Sequence, residues 1–204
     1  MKKRIKILAV SDEETLRRYP VEEIKNKFKD IDLIISCGDL SNDYLDFLFT
    51  ALNKKLVYVN GNHVYNEEHD ISFCVNLDQG KYSKVLGLGI VGFDGSPIYA
   101  MGRKYQYSEK EVFWQVFFAM LKLRCTFKKP QIVISHTPLS GIHEGKDPMH
   151  KGFKNYLKFL KWFKPKLWLH GHVHLRNQYE EQVTYLGKTK IINVFGYKIV
   201  ELEC

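Results

Sequence analysis

The 204-residue sequence predicts an α/β protein: a four-layer α/β/β/α sandwich in which two mixed β-sheets pack face to face and helices cover both outer flanks. Two observations predict it. Residues 5–59 alternate short, nearly continuous apolar runs with amphipathic stretches, as parallel strands covered on both faces require. Later runs are broken by glycine, which suits antiparallel additions. A single doubly wound sheet is the competing arrangement.

Residues 5–10 read as a strand closed by Ser11-Asp12-Glu13-Glu14. Pro20 opens a short helix to about Phe28, because its missing N–H would be unsatisfied there in any case. Residues 33–36 form the next strand, closed by Gly38-Asp39, and a helix over about 43–53 buries Leu45, Leu48, Phe49 and Leu52. Residues 56–59 are a third strand, ending at Asn60-Gly61-Asn62-His63. Residues 73–77, 82–86 and 88–93 are strand-like, with Asp78-Gln79-Gly80 and Gly87 between them. A helix over about 108–126 precedes Pro130, and residues 132–135 are a strand ending at His136-Thr137-Pro138. A lysine-rich helix leads through Pro165 to a strand over 167–169 that ends in His170-Gly171-His172-Val173-His174. Residues 183–186, 191–195 and 197–202 close the chain as a meander. One domain, 1–204, accommodates all of this.

Composition narrows the class. Hydrophobic residues are 45% and aromatics 14%, which excludes a disordered chain. The apolar run 85–93 carries three glycines and is too short to span a bilayer, so no membrane association is expected. The apolar stretch 7–10 is far too short for a secretory core, and a cytoplasmic location is expected. Cys37, Cys74, Cys125 and Cys204 form no CxxC and no dense framework, so reduced thiols are expected, with Cys37 a packing residue. The net charge of +8 favours anionic partners. Its densest block, Lys151 to Lys166, alternates with apolar residues at helical spacing, which reads as a solvated helix face rather than a nucleic-acid groove.

Five apolar strands end in groups able to ligate metal: Asp12 with Glu14, Asp39, Asn62 with His63, His136, and His172 with His174. In open α/β sheets, ligands gather outside the carboxyl ends of strands, so groups distant in sequence can converge there. Residues i and i+2 of extended backbone share a face, so Asp12 with Glu14, or His172 with His174, can grip one ion or two adjacent ions. Taken singly, Asp39 or Asn62 would be a cap or turn residue. Five such strand ends together exceed what capping produces. Carboxylate, amide and imidazole donors suit borderline divalent ions, and the lack of cysteine among them argues against structural zinc.

The ordered motifs Asp12-Glu13-Glu14, Gly38-Asp39, Gly61-Asn62-His63, His136 and Gly171-His172-Val173-His174 resemble the calcineurin-like metallophosphoesterase superfamily. The resemblance implies paired mixed sheets flanked by helices and hydrolysis of phosphate mono- or diesters. It implies two divalent ions, manganese first among iron, nickel, zinc and magnesium, bridged by Asp39 and clamping a phosphate and a bridging hydroxide. Asp12, Glu14 and His174 would hold the first ion, and Asn62, His136 and His172 the second. His63 would protonate the leaving oxygen as general acid. Two positions depart from the family pattern. Glu14 stands where the family usually has His, and Val64 where a carboxylate usually orients the preceding His; Glu67, Glu68 or Asp70 could substitute. His150, Arg103 and Tyr105-Gln106-Tyr107 could line the substrate pocket, while His143 and His170 read as structural. The expected partner is a small phosphate ester, with a nuclease acting on DNA or RNA and a protein-binding scaffold as alternatives; the oligomeric state is open.

Overall fold

The computed structural model describes residues 4–63, 71–100, 102–176 and 179–203. Its first half lays down β1 (Arg4–Ser11), α1 (Val21–Lys27), β2 (Leu33–Ser36), α2 (Asn42–Leu52), β3 (Lys55–Tyr58) and β4 (Val75–Asn76). Pro20 precedes the first turn of α1 as its residue type suits. Ser41 caps α2 by accepting a hydrogen bond from Tyr44 N, and Asn53 ends it in the left-handed conformation. β1, β2, β3 and β4 pair in parallel, in that order.

The second half contributes β5 (Tyr82–Val85), β6 (Leu88–Phe93), β7 (Ser96–Pro97), β8 (Gln106–Tyr107), α3 (Glu109–Cys125), β9 (Ile132–Ser135), α4 (Lys154–Phe163), β10 (Leu167–His170), β11 (Gln182–Leu186), β12 (Thr189–Asn193) and β13 (Gly196–Glu203). The second large sheet runs β11-β12-β10-β9-β6-β5, while β7 and β8 form a small pair of their own. Ser108 and Glu111 form a reciprocal capping box at the start of α3. The lysines of α4 are exposed, as its spacing predicts, while Tyr156, Phe159 and Leu160 are buried.

Two pairings differ from the sequence expectation. Only β5 with β6 is antiparallel in the middle segment; β4 joins β3 in parallel, and β6 joins β9 in parallel. The closing segments are not one meander either. β11 and β12 pair antiparallel in the second sheet, but β13 crosses to the first sheet and pairs antiparallel with β1 along its whole length. Its alternation explains the placement: Val200 and Leu202 enter the core while Ile199, Glu201 and Glu203 face out, as an edge strand of a half-covered sheet requires.

The core has three layers. Ile5, Ile7, Ala9, Leu33, Ile35 and Val57 of the first sheet face Ile90, Ile132, Ile134, Leu167 and Leu169 of the second. Leu8, Val10, Ile34 and Leu56 on the other face of the first sheet pack under Ile24, Phe28, Leu45 and Leu48 of the α1–α2 layer. Val91, Phe93, Val133, Trp168 and Ile191 pack under α3 and α4. The period-2 split of β1 between two layers is what sandwiching between sheet and helices demands. This is the four-layer arrangement the sequence predicts. Phe49, expected to be buried, is half-buried against Phe73. Among the described residues, no helix is long and apolar enough to cross a membrane.

Candidate metal centre

β1, β2 and β3 are mutually parallel, as are β9 and β10, so each sheet delivers its carboxyl ends to one rim. There the two sheets are stitched together. His172 N, beyond β10 of the second sheet, donates to both carboxylate oxygens of Asp12 at 3.1 Å, while Asp12 N donates to the Gly38 carbonyl within the first sheet. Asp12 (φ 64°), Asp39 (φ 54°) and His172 (φ 69°) all adopt the left-handed conformation. For residues other than glycine this is strained by about 1 kcal/mol or more, and such strain concentrates where side-chain direction matters. Close approach also needs glycine. A Cβ on Gly61 would fall on the Asp39 carboxylate, and one on Gly171 on Ser11 Oγ and Asp12.

Donor atoms of Asp12, Asp39 and His136 lie within 4.8 Å of one another. His136 is buried, and its Nδ1 sits 2.9 Å from the Cys37 carbonyl, which can only accept. Nδ1 therefore carries a proton, which leaves Nε2 with the lone pair of the neutral ring. That Nε2 faces Asn62 Oδ1 at 3.0 Å and Asp39 Oδ2 at 3.3 Å. Three electron-pair groups thus converge, and only a cation or an extra proton reconciles them. Burial opposes charge on His136, but the neighbouring Asp39 carboxylate overrides it and pushes the imidazole up to about 9. Reciprocally, burial would raise Asp39, yet His136 and the His63 backbone N–H hold it down at about 2. Asp12 is raised, chiefly by burial. A buried oxygen- and nitrogen-rich cluster of this kind fits a divalent ion.

The remaining candidates are less uniformly gathered. Asn62 Nδ2 donates to Tyr99 OH at 3.1 Å, which turns its Oδ1 toward His136. His63 is exposed at the mouth, its Nε2 3.7 Å from Asp39 Oδ2. His174 Nε2 lies 3.9 Å from Asp12 Oδ1. The His172 ring stacks edge-on to His136 with centroids 4.9 Å apart, but its Nε2 donates to the Met149 carbonyl at 2.8 Å. Burial, then the charge of His136, lowers His172 to about 3, so its ring is neutral. Glu14 points elsewhere: its Oε1 accepts from Ser41 Oγ at 2.5 Å and its Oε2 pairs with Arg17 at 2.9 Å. The i, i+2 argument does not apply to it, because Asp12 is left-handed and Glu14 precedes a 3-10 turn over Thr15–Arg18. Val64, Glu67, Glu68 and Asp70 lie outside the described residues, as does Cys204.

A cavity of about 290 Å³ opens over the cluster, lined by Asp39, Asn62, His63, Tyr99, Arg103, Met149, His150, His172 and His174. His150 is held by Asp147, which accepts from its Nδ1 at 2.8 Å. Arg103 lies over the Tyr99 ring. Tyr107 does not face this cavity; its hydroxyl donates to Asp94 at 2.6 Å, and Tyr105 OH accepts from Asn60. His143 and His170 hold each other away from the cavity lining: Nδ1 of the first and Nε2 of the second are 2.9 Å apart, and His170 Nδ1 donates to the Gly171 carbonyl. Cys37 is buried, and burial raises its thiol well above the usual range, so the residue contributes through its carbonyl. Sequence reasoning did not single out Tyr99, the Met149 carbonyl or the Cys37 carbonyl as partners of the site.

This chain belongs to the calcineurin-like phosphoesterase family, whose model matches residues 5–176. Several solved structures share the fold. One superposes with a TM-score of 0.68 at 18% identity, covering 98% of this chain and 99% of its own. TT1561 of Thermus thermophilus superposes with a TM-score of 0.64 at 14% identity, again covering 98% and 99%. GAP50, the anchor in the inner membrane complex of Plasmodium, gives 0.58 at 12% identity, covering 99% of this chain and 82% of that one. No curated protein sequence compared with this chain matches it.

Proposed function

We propose that the protein is a metal-dependent phosphoesterase that hydrolyses small phosphate esters, diesters in preference to monoesters. The observation that carries this reading is the meeting of Asp39 Oδ2, Asn62 Oδ1 and His136 Nε2 beside Asp12, an arrangement of electron pairs that a divalent cation would satisfy. Asp12, Glu14, Asp39 and His174 would hold one divalent ion, and Asp39, Asn62, His136 and His172 a second. To take part, Glu14 would exchange Ser41 and Arg17 for the ion, and the His172 ring would leave the Met149 carbonyl. Manganese suits the carboxylate-rich first set. Bound there, divalent ions would supply Lewis acidity toward the phosphoryl oxygens and an activated water.

The chain's own groups divide the rest of the work. His63, exposed at the mouth with its backbone N–H held by Asp39, would donate a proton from Nε2 to the leaving oxygen, a contribution of about 10²–10⁴-fold. Arg103 would balance charge on the non-bridging oxygens, and Tyr99 keeps the Asn62 carbonyl aimed inward. His150, fixed by Asp147, would hold the substrate over His172. The open cavity and its basic lip are what favour diesters, whose second ester arm needs room.

The test is metal analysis of protein purified with added Mn²⁺, together with hydrolysis of bis-p-nitrophenyl phosphate, p-nitrophenyl phosphate and cyclic nucleotides under Mn²⁺, Mg²⁺, Ni²⁺ and Zn²⁺. Retained metal and diester hydrolysis are expected, and Asp39→Asn should lose both. Metal-free protein that cleaves nothing under any of these ions would sink the proposal and favour a scaffold. Salt-sensitive cleavage confined to polynucleotides would favour a nuclease.

A further inference from the structure

The parallel strands of the second sheet begin at the end of the molecule opposite the candidate metal centre, and every connection at that end carries lysine. Lys84 lies near the end of β5, Lys128 and Lys129 join α3 to β9, Lys164 and Lys166 join α4 to β10, and Lys188 sits in the β11–β12 turn. Residues 84–88, 126–131, 164–166 and 186–189 contain no Asp or Glu. Backbone bonds lay these connections side by side: Gln131 N donates to the Gly89 carbonyl, Lys166 N to that of Gln131, and Lys190 N to that of Lys166. All six lysines are exposed. Lys166 donates to the Glu203 backbone carbonyl and Lys128 lies over the Tyr82 ring, but among the described residues no carboxylate pairs with any of the six. The same end of the first sheet differs, since Glu201 and Glu203 engage Arg4 there and Asp32 accepts from Lys6 N. From β12 through β10, β9 and β6 to β5, strand spacings of about 4.8 Å make a basic row about 19 Å long.

Phe127 stands in the middle of this row, 96% exposed and left-handed (φ 52°). Its N–H donates to the Arg124 carbonyl and Lys128 N to that of Leu123, the paired bonds that close a helix around a left-handed residue, where glycine is usual. Phenylalanine is strained there, and its ring gains no burial within the chain. Beside it opens a cavity of about 580 Å³, lined by Tyr82, Lys84, Gly87, Lys128 and Lys129 as well as Phe127, with no carboxylate among its described lining residues. Ammonium groups in a concave wall and a free aromatic face at its edge fit a nucleotide, the phosphate against the lysines and the base on the ring. An anionic bilayer is flat and would leave the cavity unfilled. A duplex keeps its bases stacked on one another and out of reach of Phe127.

We propose that this end of the protein binds single-stranded nucleic acid, with Lys84, Lys128 and Lys129 on phosphates, Phe127 against one base, and Lys164, Lys166 and Lys188 extending the track. At about 3.4 Å or more per nucleotide, the row serves several nucleotides. The strand crosses the starts of β9, β10 and β12, whereas the candidate metal centre lies beyond the ends of β9 and β10. The surface therefore tethers the protein to a strand without presenting that strand for hydrolysis, and it works whether or not metal is bound.

Fluorescence anisotropy of a labelled oligothymidylate of about twelve nucleotides, titrated with the full chain with and without Mn²⁺, tests this. Micromolar binding at about 50 mM salt is expected in both, with a log–log salt slope of about −2 to −3, as three or four neutralised phosphates give. Lys84→Ala with Lys128→Ala and Lys129→Ala should weaken binding about tenfold or more. Lys154→Ala with Lys158→Ala and Lys161→Ala, the same charge change on α4, should leave it within about twofold. Phe127→Gly should weaken binding about fivefold or more without lowering the midpoint of thermal unfolding, because glycine suits the left-handed position. Absence of binding, equal weakening by the two triple variants, tighter binding of a duplex of the same length, or wild-type affinity in Phe127→Gly overturns the proposal. So does a protein that leaves the oligonucleotide free and sediments with phosphatidylglycerol vesicles.

Discussion

Gly61 shows how little freedom single positions have at the rim. A methyl group there would occupy the space of the Asp39 carboxylate, so Gly61→Ala should displace Asp39 and weaken Mn²⁺ binding at least tenfold, as read by calorimetric titration. Glu14→Ala should cost about tenfold in the same titration; unchanged affinity would remove Glu14 from the proposed ligand set. That Asp12, Asp39, Asn62, His136 and His172 gather at one rim was legible in the sequence because each is a polar group that follows an apolar strand. The Cys37 and Met149 carbonyls were not, since a backbone oxygen leaves no trace in residue identity. Tyr99 was missed because its reach to Asn62 depends on how residues 96–107 fold back. The two-residue spacing offered for Glu14 assumed extended backbone through Asp12, whose φ of 64° breaks that period.

Elements were easier to read than their partners. The strands over residues 33–36, 88–93 and 132–135 sit where their apolar runs end, because glycine, proline or a polar cluster stops each run. Local pattern does not record which strand lies alongside, so β4, β6 and β13 found neighbours that the sequence did not announce. Helix ends were written more plainly. Ser108 with Glu111 is a reciprocal cap, and Ser108→Ala should lower stability by about 1 kcal/mol in urea titration with an unchanged slope. A much smaller loss would mean that packing of Val112 and Val116 alone fixes the start of α3.

At the scale of the molecule, β6 also ends in a carboxylate, Asp94, yet this one serves the fold rather than the candidate metal centre. It accepts from Tyr107 OH and Gln79 N, and burial, then the nearby Asp78, raises it to about 6. An acid raised in the folded state stabilises while protonated and loses that contribution as it ionises. The stability of the wild type relative to Asp94→Asn should therefore fall as pH rises from about 4 to about 6, by on the order of 2 kcal/mol, in parallel denaturant titrations. A flat difference would mean that Asp94 ionises normally.

The pairing of β13 with β1 bears on how the chain is made. Residues 4–11 leave the ribosome ahead of β2 and can pair with it soon afterwards, but their other edge gains its neighbour only when residues 196–203 emerge. Through most of synthesis, β1 therefore offers an open row of peptide groups to any passing strand. Nascent chains stalled before residue 196 should bind holdase chaperones, and those extended past residue 203 should be released.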